Sequence, residues 1–577
     1  MCDVIFITPN MSGHFSDESV GTLQLVSILE NEGVSCDILQ FFRIGDVSDF
    51  EGFMENAMDL IQKAQPKIVS MYTRCDTYHI NLKLAQRIKA RWDDIYIVFG
   101  GPQSDITAED TVSRIPYVDY VCCGEGETTI YPFFSSLLRK EPDLSVPGLV
   151  YRTNDTVVKN PRPEMIAELD GLPMIDYSKI YMGGTPEDQS SIRFPIDVGR
   201  GCPFGCTYCS TKAFWGRKYR MKSPRRIIEE IKLIHDQFGI TKFKFSHDMF
   251  TLNRKIVIET CDRMRGLDFP VEWVCSARLD CLDRELIDIM ADSGLFGIFI
   301  GIETGSPRMQ KLINKNLKLD RVIEILSYLR DKGIAIKVSF IYGFPEETED
   351  DLSQTMSLMG RILQHKCGQV DAHLCTFLAK TELSDRYMSQ MTRAEKLSNI
   401  TGSFAIEECA DVIDAHPQLF SHLMEYKTEL RTKLKHFELF FRVWARLQPV
   451  YQYLAEQYSE DRLIDMYYDF VAANQELLAQ MEGLTLTRFT RRILLEGKLP
   501  KGVENDPNRD ILSDYCRMIR TENSEEVRSG GNATAIYCFD PSDRTQKASI
   551  RDYERCVAVV TYNQGKQSIV KYPYKIG

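Results

Sequence analysis

Short apolar runs alternate with amphipathic stretches from the first residues onward. Val4–Thr8, Ser35–Leu39, Ile68–Tyr72, Ile95–Phe99 and Tyr117–Cys122 read as strands. Between them, Gly21–Glu32, Phe50–Ala64, Ile80–Arg91 and Thr128–Arg139 space their apolar positions as helices do. This alternation predicts an α/β fold with a doubly wound parallel sheet over residues 1–140. In such sheets ligands sit beyond the carboxyl ends of the strands. Those ends carry Thr8-Pro9-Asn10, Thr73-Arg74-Cys75-Asp76, Gly100-Gly101-Pro102-Gln103 and Gly124-Glu125-Gly126-Glu127. Glycine there lets backbone approach a large flat or phosphate-bearing ligand. A tight βα turn alone would also account for any one of them.

Residues 141–190 read as a linker, with a small hairpin over Leu149–Lys159 turning at Asn154-Asp155 and prolines at 161, 163 and 173. From 191 to 378 a βα unit recurs, with strands expected at Phe194–Val198, Lys242–Ser246, Val271–Ser276, Gly297–Ile302, Ala335–Ile341 and Val370–Phe377. Helices are expected at Pro224–Gln237, Arg254–Arg265, Arg284–Ser293, Leu319–Lys332 and Glu349–Gln364. The pattern predicts a partial (β/α)6, TIM-like barrel with its active face at the carboxyl ends of the strands. Polar residues gather there: Ser246-His247-Asp248, Ser276-Ala277-Arg278, Gly301-Ile302-Glu303 and Tyr342-Gly343-Phe344. Residues 379–577 form a mainly helical region. Its aromatic stripes at His422–Tyr426, Phe437–Trp444, Tyr451–Tyr458 and Tyr467–Phe470 suit a core better than a cofactor box. Asn505–Gly531 reads as a loop, and Ile536–Asp540 and Cys556–Tyr562 as terminal strands.

Composition narrows the function classes. A chain of 577 residues suits two or three domains, and 44% hydrophobic residues can fill their cores. The net charge of −12 argues against a nucleic-acid backbone as main partner. The basic run Arg217–Arg226 reads as a solvated helix start. No signal peptide and no run of about 18 apolar residues is visible, so no membrane span is expected. Seventeen cysteines without a pairing framework fit a reducing cytoplasm.

Three of those cysteines stand apart. Cys202, Cys206 and Cys209 form a CxxxCxxC run directly after a strand, ringed by Gly and Pro. Thiolates at this spacing hold three irons of a [4Fe–4S] cluster and leave the fourth iron open. A structural zinc site needs a fourth ligand, and no second cysteine pair follows. Cys367, Cys375, Cys409, Cys516, Cys538 and Cys556 show no close ligand spacing, so no auxiliary cluster is expected.

The run, with aromatic Tyr208 before its last cysteine, resembles the cluster motif of radical S-adenosylmethionine enzymes. In that family the open iron chelates S-adenosylmethionine, and the reduced cluster cleaves it to a 5′-deoxyadenosyl radical. Ser19-Val20-Gly21-Thr22-Leu23, Gly100-Gly101-Pro102 and Gly124-Glu125-Gly126-Glu127 resemble the Rossmann-like cobalamin-binding domain that precedes many such enzymes. The Asp-x-His-x-x-Gly motif that ligates cobalt elsewhere is absent, so no histidine lower ligand is expected; Arg74 or Tyr72, at a strand end, would face cobalt instead, the alternative for Arg74 being a pair with Asp76 or a phosphate.

The resemblance implies a cobalamin-dependent enzyme, foremost a C-methyltransferase acting on an unactivated carbon. Its rivals are a radical cyclase or rearrangement enzyme with the same cofactors, a non-catalytic sensor, and a chain whose first domain has lost cobalamin. Cys202, Cys206 and Cys209 would ligate the cluster. Tyr208, Ser246, Asp248, Ser276, Arg278, Glu303 and Gly343 would line S-adenosylmethionine. Thr8, Pro9, Asn10, Thr22, Thr73, Arg74, Gly100, Gly101, Gly124, Glu125 and Gly126 would line cobalamin. Ser-His-Asp stands where the family has Gly-Gly-Glu. Arg278 suits a carboxylate or ribose, pairing with Glu303 being the bland alternative. His247 is a proton carrier or a packing residue. A flavodoxin- or ferredoxin-type protein would supply electrons, and the substrate is a small molecule or peptide.

Overall fold

The computed structural model describes residues 2–12, 17–154, 156–180, 193–395, 397, 404–438, 440–441 and 458–479, and the backbone of three strands beyond residue 531. The chain divides into two compact units, Met1–Gly301 with Lys311–Leu317 and Leu374–Lys427, and Ile302–Gln310 with Lys318–His373 and Thr428–Gly577.

The first unit opens with strands β1 (Val4–Thr8), β2 (Cys36–Gln40), β3 (Ile68–Tyr72), β4 (Tyr96–Gly100), β5 (Tyr120–Cys122), β6 (Leu149–Thr153) and β7 (Thr156–Lys159). Their order is β2-β1-β3-β4-β5-β6-β7. The first five are parallel, and the hairpin β6–β7 adds an antiparallel edge. The hairpin expected in the linker therefore extends this sheet. Asn154 takes a left-handed φ of 46° at its turn, and Asp155 lies outside the described residues.

Helix Phe50–Ala64 shows how the sequence builds such an element. Asp49 accepts the Gly52 N–H at 3.2 Å and caps its start. Phe50, Phe53, Met54, Ala57, Met58 and Ile61 fall on one stripe and are all buried. Gln65 ends it in the left-handed conformation. Two short helices were not anticipated, Pro102–Ile106 and Ala108–Arg114, the first opening at Gly101. Nor was the return of Ala405–Leu423 to this domain: Cys409, Val412, Ile413 and Phe420 join its core, and Gln103 donates to the Leu419 carbonyl at 2.9 Å.

The same unit carries β8 (Phe194–Asp197), the two-residue strands β9 (Gly199–Arg200) and β10 (Arg220–Met221), then β11 (Lys242–Ser246), β12 (Glu272–Ala277) and β13 (Leu295–Glu303). β8, β11, β12 and β13 pair in parallel in the order β13-β12-β11-β8, with a helix following β11 and β12. Alternation sends Phe243, Phe245 and Trp273 into the buried face, where Phe245 stacks on Trp273 at 5.0 Å. The opposite face presents Lys244, Ser246, Val274, Ser276 and Phe299; Phe299 stays 39% exposed.

The second unit holds β14 (Ala335–Tyr342), β15 (Gln369–Leu374) and helices Val322–Asp331 and Glu349–Gln364, the latter closed by a Thr348/Asp351 capping box. The aromatic stripe here is core: Phe437, Phe440, Tyr467 and Phe470 are buried, with Tyr467 5.4 Å from both Phe437 and Phe440. Strands Asn532–Cys538, Cys556–Asn563 and Lys566–Pro573 form an antiparallel sheet. The third of these was not anticipated. The loop expected at Asn505–Gly531 and the aromatic stretch Tyr451–Gln457 lie outside the described residues, as does Asp540.

Candidate functional site

The cysteine loop leaves β8 and is pinned from several sides. Thr207 N–H donates to the Ile313 carbonyl at 3.0 Å, Leu383 N–H to the Thr207 carbonyl at 2.9 Å, and Asn314 Nδ2 to the Gly205 carbonyl at 2.9 Å. Gly201 adopts φ +84°, and a Cβ there would strike the Lys218 carbonyl, so only glycine makes the turn into Cys202. Cys202, Cys206 and Cys209 remain partly accessible. Burial pushes the Cys202 thiol up to about 11 and also raises Cys209. Among the described residues no three His, Cys, Asp or Glu side chains converge on one point as a zinc ion would need. Thiolates that each take a different iron have no such requirement.

Groups suited to a carboxylate and an amine stand beside this loop. Arg278 stacks on Phe204 at 4.0 Å and lies within electrostatic reach of Cys206. Its Nε and one Nη bind Asp280 at 2.9 and 2.8 Å, its Nη2 also reaches the Lys315 carbonyl, and buried Nη1 has no partner. Arg278 thus pairs with Asp280. Asp248 accepts the Gly201 N–H and lies near Cys202 and Cys209, and burial raises its pKa. Ser246 and Ser276 share the open sheet face. Tyr208 is partly buried within the loop. The orphaned Arg278 donor and the three thiols fit a cluster with bound S-adenosylmethionine.

Other expected residues receive different work. His247 is held at both ring nitrogens: Nδ1 accepts the Met249 N–H at 2.7 Å and Nε2 faces the Arg220 carbonyl at 3.4 Å. Burial pulls its pKa down to about 4, and its ring packs against Tyr219 at 5.0 Å. In the second unit, Gly343 donates its N–H to Glu347 at 2.6 Å and its carbonyl accepts from Arg431 at 2.8 Å. Both its backbone groups are therefore engaged. Glu303 holds a left-handed φ of 71°, uncommon for a non-glycine residue.

Beyond the N-terminal sheet, Thr8 and Asn10 converge with Gln40 on Glu18, a buried carboxylate the sequence reading missed. Pro9 is buried between them. Thr22 Oγ1 bonds Ser19 at 3.0 Å, and Thr73 Oγ1 bonds the Gly100 carbonyl at 2.9 Å. Arg74 is a fork on Asp76, with Nη2 at 2.6 Å. Gly100, like Gly21, has open space at its α-carbon. A Cβ on Gly101 would meet Thr73 backbone at 2.9 Å, on Gly124 the Pro163 ring at 2.9 Å, and on Gly126 Leu25 at 3.3 Å.

Glu125 is enclosed by donors. One oxygen accepts Arg200 Nη1 at 2.7 Å, both accept Arg220 Nη1, and Ile166 N–H adds a third donor. Burial alone would raise this carboxyl; Arg220, Arg200 and the Ile166 amide outweigh that and hold it below its ordinary value. The basic run Arg217–Arg226 is divided: Arg217, Lys218 and Arg225 are exposed, whereas Lys222 and Arg226 are buried. Lys222 and Arg226 bind buried Glu230, at 2.7 and 2.8 Å. Arg226 and Glu230 stand one turn apart on one helix, whereas Arg220 finds its partner Glu125 on another element.

Known proteins share these features. The family model described as the radical SAM superfamily matches residues 196–359, and that of the B12 binding domain matches residues 18–132. An uncharacterized methyltransferase of Pyrococcus horikoshii is 28% identical over 323 residues, 55% of this chain and 70% of its own. An anaerobic magnesium-protoporphyrin IX monomethyl ester cyclase of Cereibacter sphaeroides is 26% identical over 312 residues, 52% of this chain and half of its own. The solved structure of the radical S-adenosylmethionine methyltransferase TsrM from Kitasatospora setae, with cobalamin and a [4Fe-4S] cluster bound, superposes with a TM-score of 0.55 at 16% identity, covering 68% of this chain and 77% of that one. The shared fold is α/β, with a B12-binding Rossmann-like domain and a parallel-sheet radical domain. The cofactors that go with these domains are a [4Fe–4S] cluster, S-adenosylmethionine and cobalamin. The chain thus carries a B12-binding domain followed by a radical S-adenosylmethionine domain, the pair of domains that marks cobalamin-binding radical S-adenosylmethionine enzymes.

Proposed function

We propose that this protein is a C-methyltransferase that acts on an unactivated carbon of a small-molecule or peptide substrate. One observation carries the reading: the loop ending β5 of the B12-binding domain and the loop of the three cysteines are joined by buried ion pairs within one compact unit. A methyl donor on one and a radical source on the other would serve a single carbon.

When bound, the cluster supplies the electron that breaks a carbon–sulfur bond of S-adenosylmethionine, and cobalamin supplies the methyl group. Cys202, Cys206 and Cys209 would hold three irons. Arg278 Nη1 would take the methionine carboxylate as a charge-assisted partner, beside Ser246, Ser276, Asp248 and Tyr208. Thr8, Asn10, Thr22, Thr73, Arg74 and Gly100 would frame the corrinoid, with Arg74 already balanced by Asp76.

No helix among the described residues is long and apolar enough to cross a membrane. We place the protein in the cytoplasm, served by a flavodoxin- or ferredoxin-type reductant; free thiols suit that compartment. The domain limits 1–140, 141–190, 191–378 and 379–577 are part of this reading.

The similarity to a cyclase makes radical chemistry without methyl transfer the reading to exclude. Protein reconstituted anaerobically with iron, sulfide and cobalamin should convert S-adenosylmethionine to both 5′-deoxyadenosine and S-adenosylhomocysteine in the presence of reductant. 5′-Deoxyadenosine alone would replace methyl transfer by a cyclisation or rearrangement.

A further inference from the structure

Arg200 stands two residues before the first cluster cysteine, yet its side chain ends on the B12-binding domain. Nη1 donates to Glu125 at 2.7 Å and Nη2 to Glu127 at 2.6 Å, with Asp197 at 3.3 Å. The Arg200, Glu125 and Glu127 side chains are only 8%, 3% and 6% exposed. Arg220, opposite Arg200 across the β9–β10 ribbon, adds its own bond to Glu125. Both guanidiniums lie over Trp215, at 6.0 and 5.5 Å. Trp215 closes the helix Thr211–Trp215, which follows Cys209 and packs against Pro102–Ile106, the helix opened by Gly101. The segment bearing the three cysteines therefore grips the loops after both β4 and β5.

We propose that Arg200 is a positioning residue for the corrinoid, acting through Glu125 and Glu127 from the radical domain. This rests on assigning cobalamin to the N-terminal domain. The turn Gly124-Glu125-Gly126-Glu127 has glycines at alternate positions, one of them at φ +86°, so its backbone alone fixes its shape weakly. Two buried carboxylates fix it instead, provided each meets a cation. Without Arg200, Arg220 is the one neighbouring guanidinium bonded to this turn, and it touches only Glu125. Glu127 then loses its ion pair, and an unpaired buried carboxylate drives the turn toward water. The corrinoid face then loses part of its rim, although the substituted residue belongs to the other domain. The arrangement also explains why Glu125 and Glu127, at the carboxyl end of a sheet strand, need not touch the ligand to govern its site.

The test is a titration of full-length, corrinoid-free protein with hydroxocobalamin, read by visible absorbance. Arg200→Gln, folded by circular dichroism and melting above the assay temperature, should bind about tenfold more weakly. Arg200→Lys, which keeps the charge and one hydrogen bond, should recover part of that loss. After reduction, the cob(II)alamin EPR spectrum of Arg200→Gln should broaden toward that of a loosely held corrinoid. Unchanged affinity and spectrum in a folded Arg200→Gln would overturn the proposal. If that variant does not fold, Glu127→Gln, which removes a single pair, is judged by the same two readouts. Wild-type protein that binds no hydroxocobalamin would overturn the corrinoid assignment and this inference together.

Discussion

At the scale of the residue, side chains of one type differ in what surrounds them. Of the cysteines described, Cys202, Cys206 and Cys209 are partly accessible on one loop, whereas Cys261, Cys275, Cys367 and Cys409 are buried as small apolar groups. Replacing any one of the three by Ala should abolish 5′-deoxyadenosine formation and most of the iron–sulfur absorbance of reconstituted protein; turnover in any such variant would refute the cluster assignment. His247 titrates in the opposite sense to a catalytic base. Its folded pKa of about 4 lies below the ordinary value of 6.5, so the unfolded chain takes up the proton first. The stability it gives is complete above pH 6.5 and drains as pH falls toward 4, by up to about 1.4 kcal/mol per unit. His247→Gln, which keeps hydrogen bonding without titrating, should flatten urea-unfolding midpoints measured between pH 6.5 and 4. An identical acid slope in both proteins would show that His247 is not the buried group responsible.

At the scale of the element, glycine placement and apolar periodicity do separate jobs. The stripe on Phe50–Ala64 determines a buried helix face from sequence alone. The turn at Gly100-Gly101 is decided by contact instead. Gly101 has φ +95°, and its α-carbon faces Thr73 backbone and the Tyr72 ring. Gly101→Ala should cost about 1–3 kcal/mol through both the left-handed strain and the clash. Differential scanning calorimetry would check this, and a loss below a few tenths of a kcal/mol would mean that the turn has room to shift.

At the scale of the whole molecule, the first unit is bound together by buried charge as well as by apolar packing. Glu125→Gln leaves Arg200 and Arg220 facing a neutral amide in a dry setting and should destabilise this unit by about 3 kcal/mol. Hydrogen–deuterium exchange should rise together in residues 124–129 and 199–202. A rise confined to one of the two segments would show that they are not mechanically joined. The aromatic residues of Phe404–Tyr426 extend the same principle: Phe420 meets Tyr78 at 5.9 Å, so a segment beyond the radical domain's strands completes the core of the first domain.

The amino-acid order by itself determined the alternation of strands and helices and the boundaries of Phe50–Ala64, Arg254–Arg265 and Glu349–Gln364. It also determined the cysteine triplet, because periodicity and short-range ligand spacing are local properties. Pairings between distant residues were decided only by the tertiary structure. It gave Glu125 the partners Arg200 and Arg220, placed Arg278 on Asp280, and buried Lys222 and Arg226 within a basic run that read as solvated. The reason is physical. A charged side chain advertises its charge in sequence, whereas its hydration and its partner depend on which chain segments fold against it.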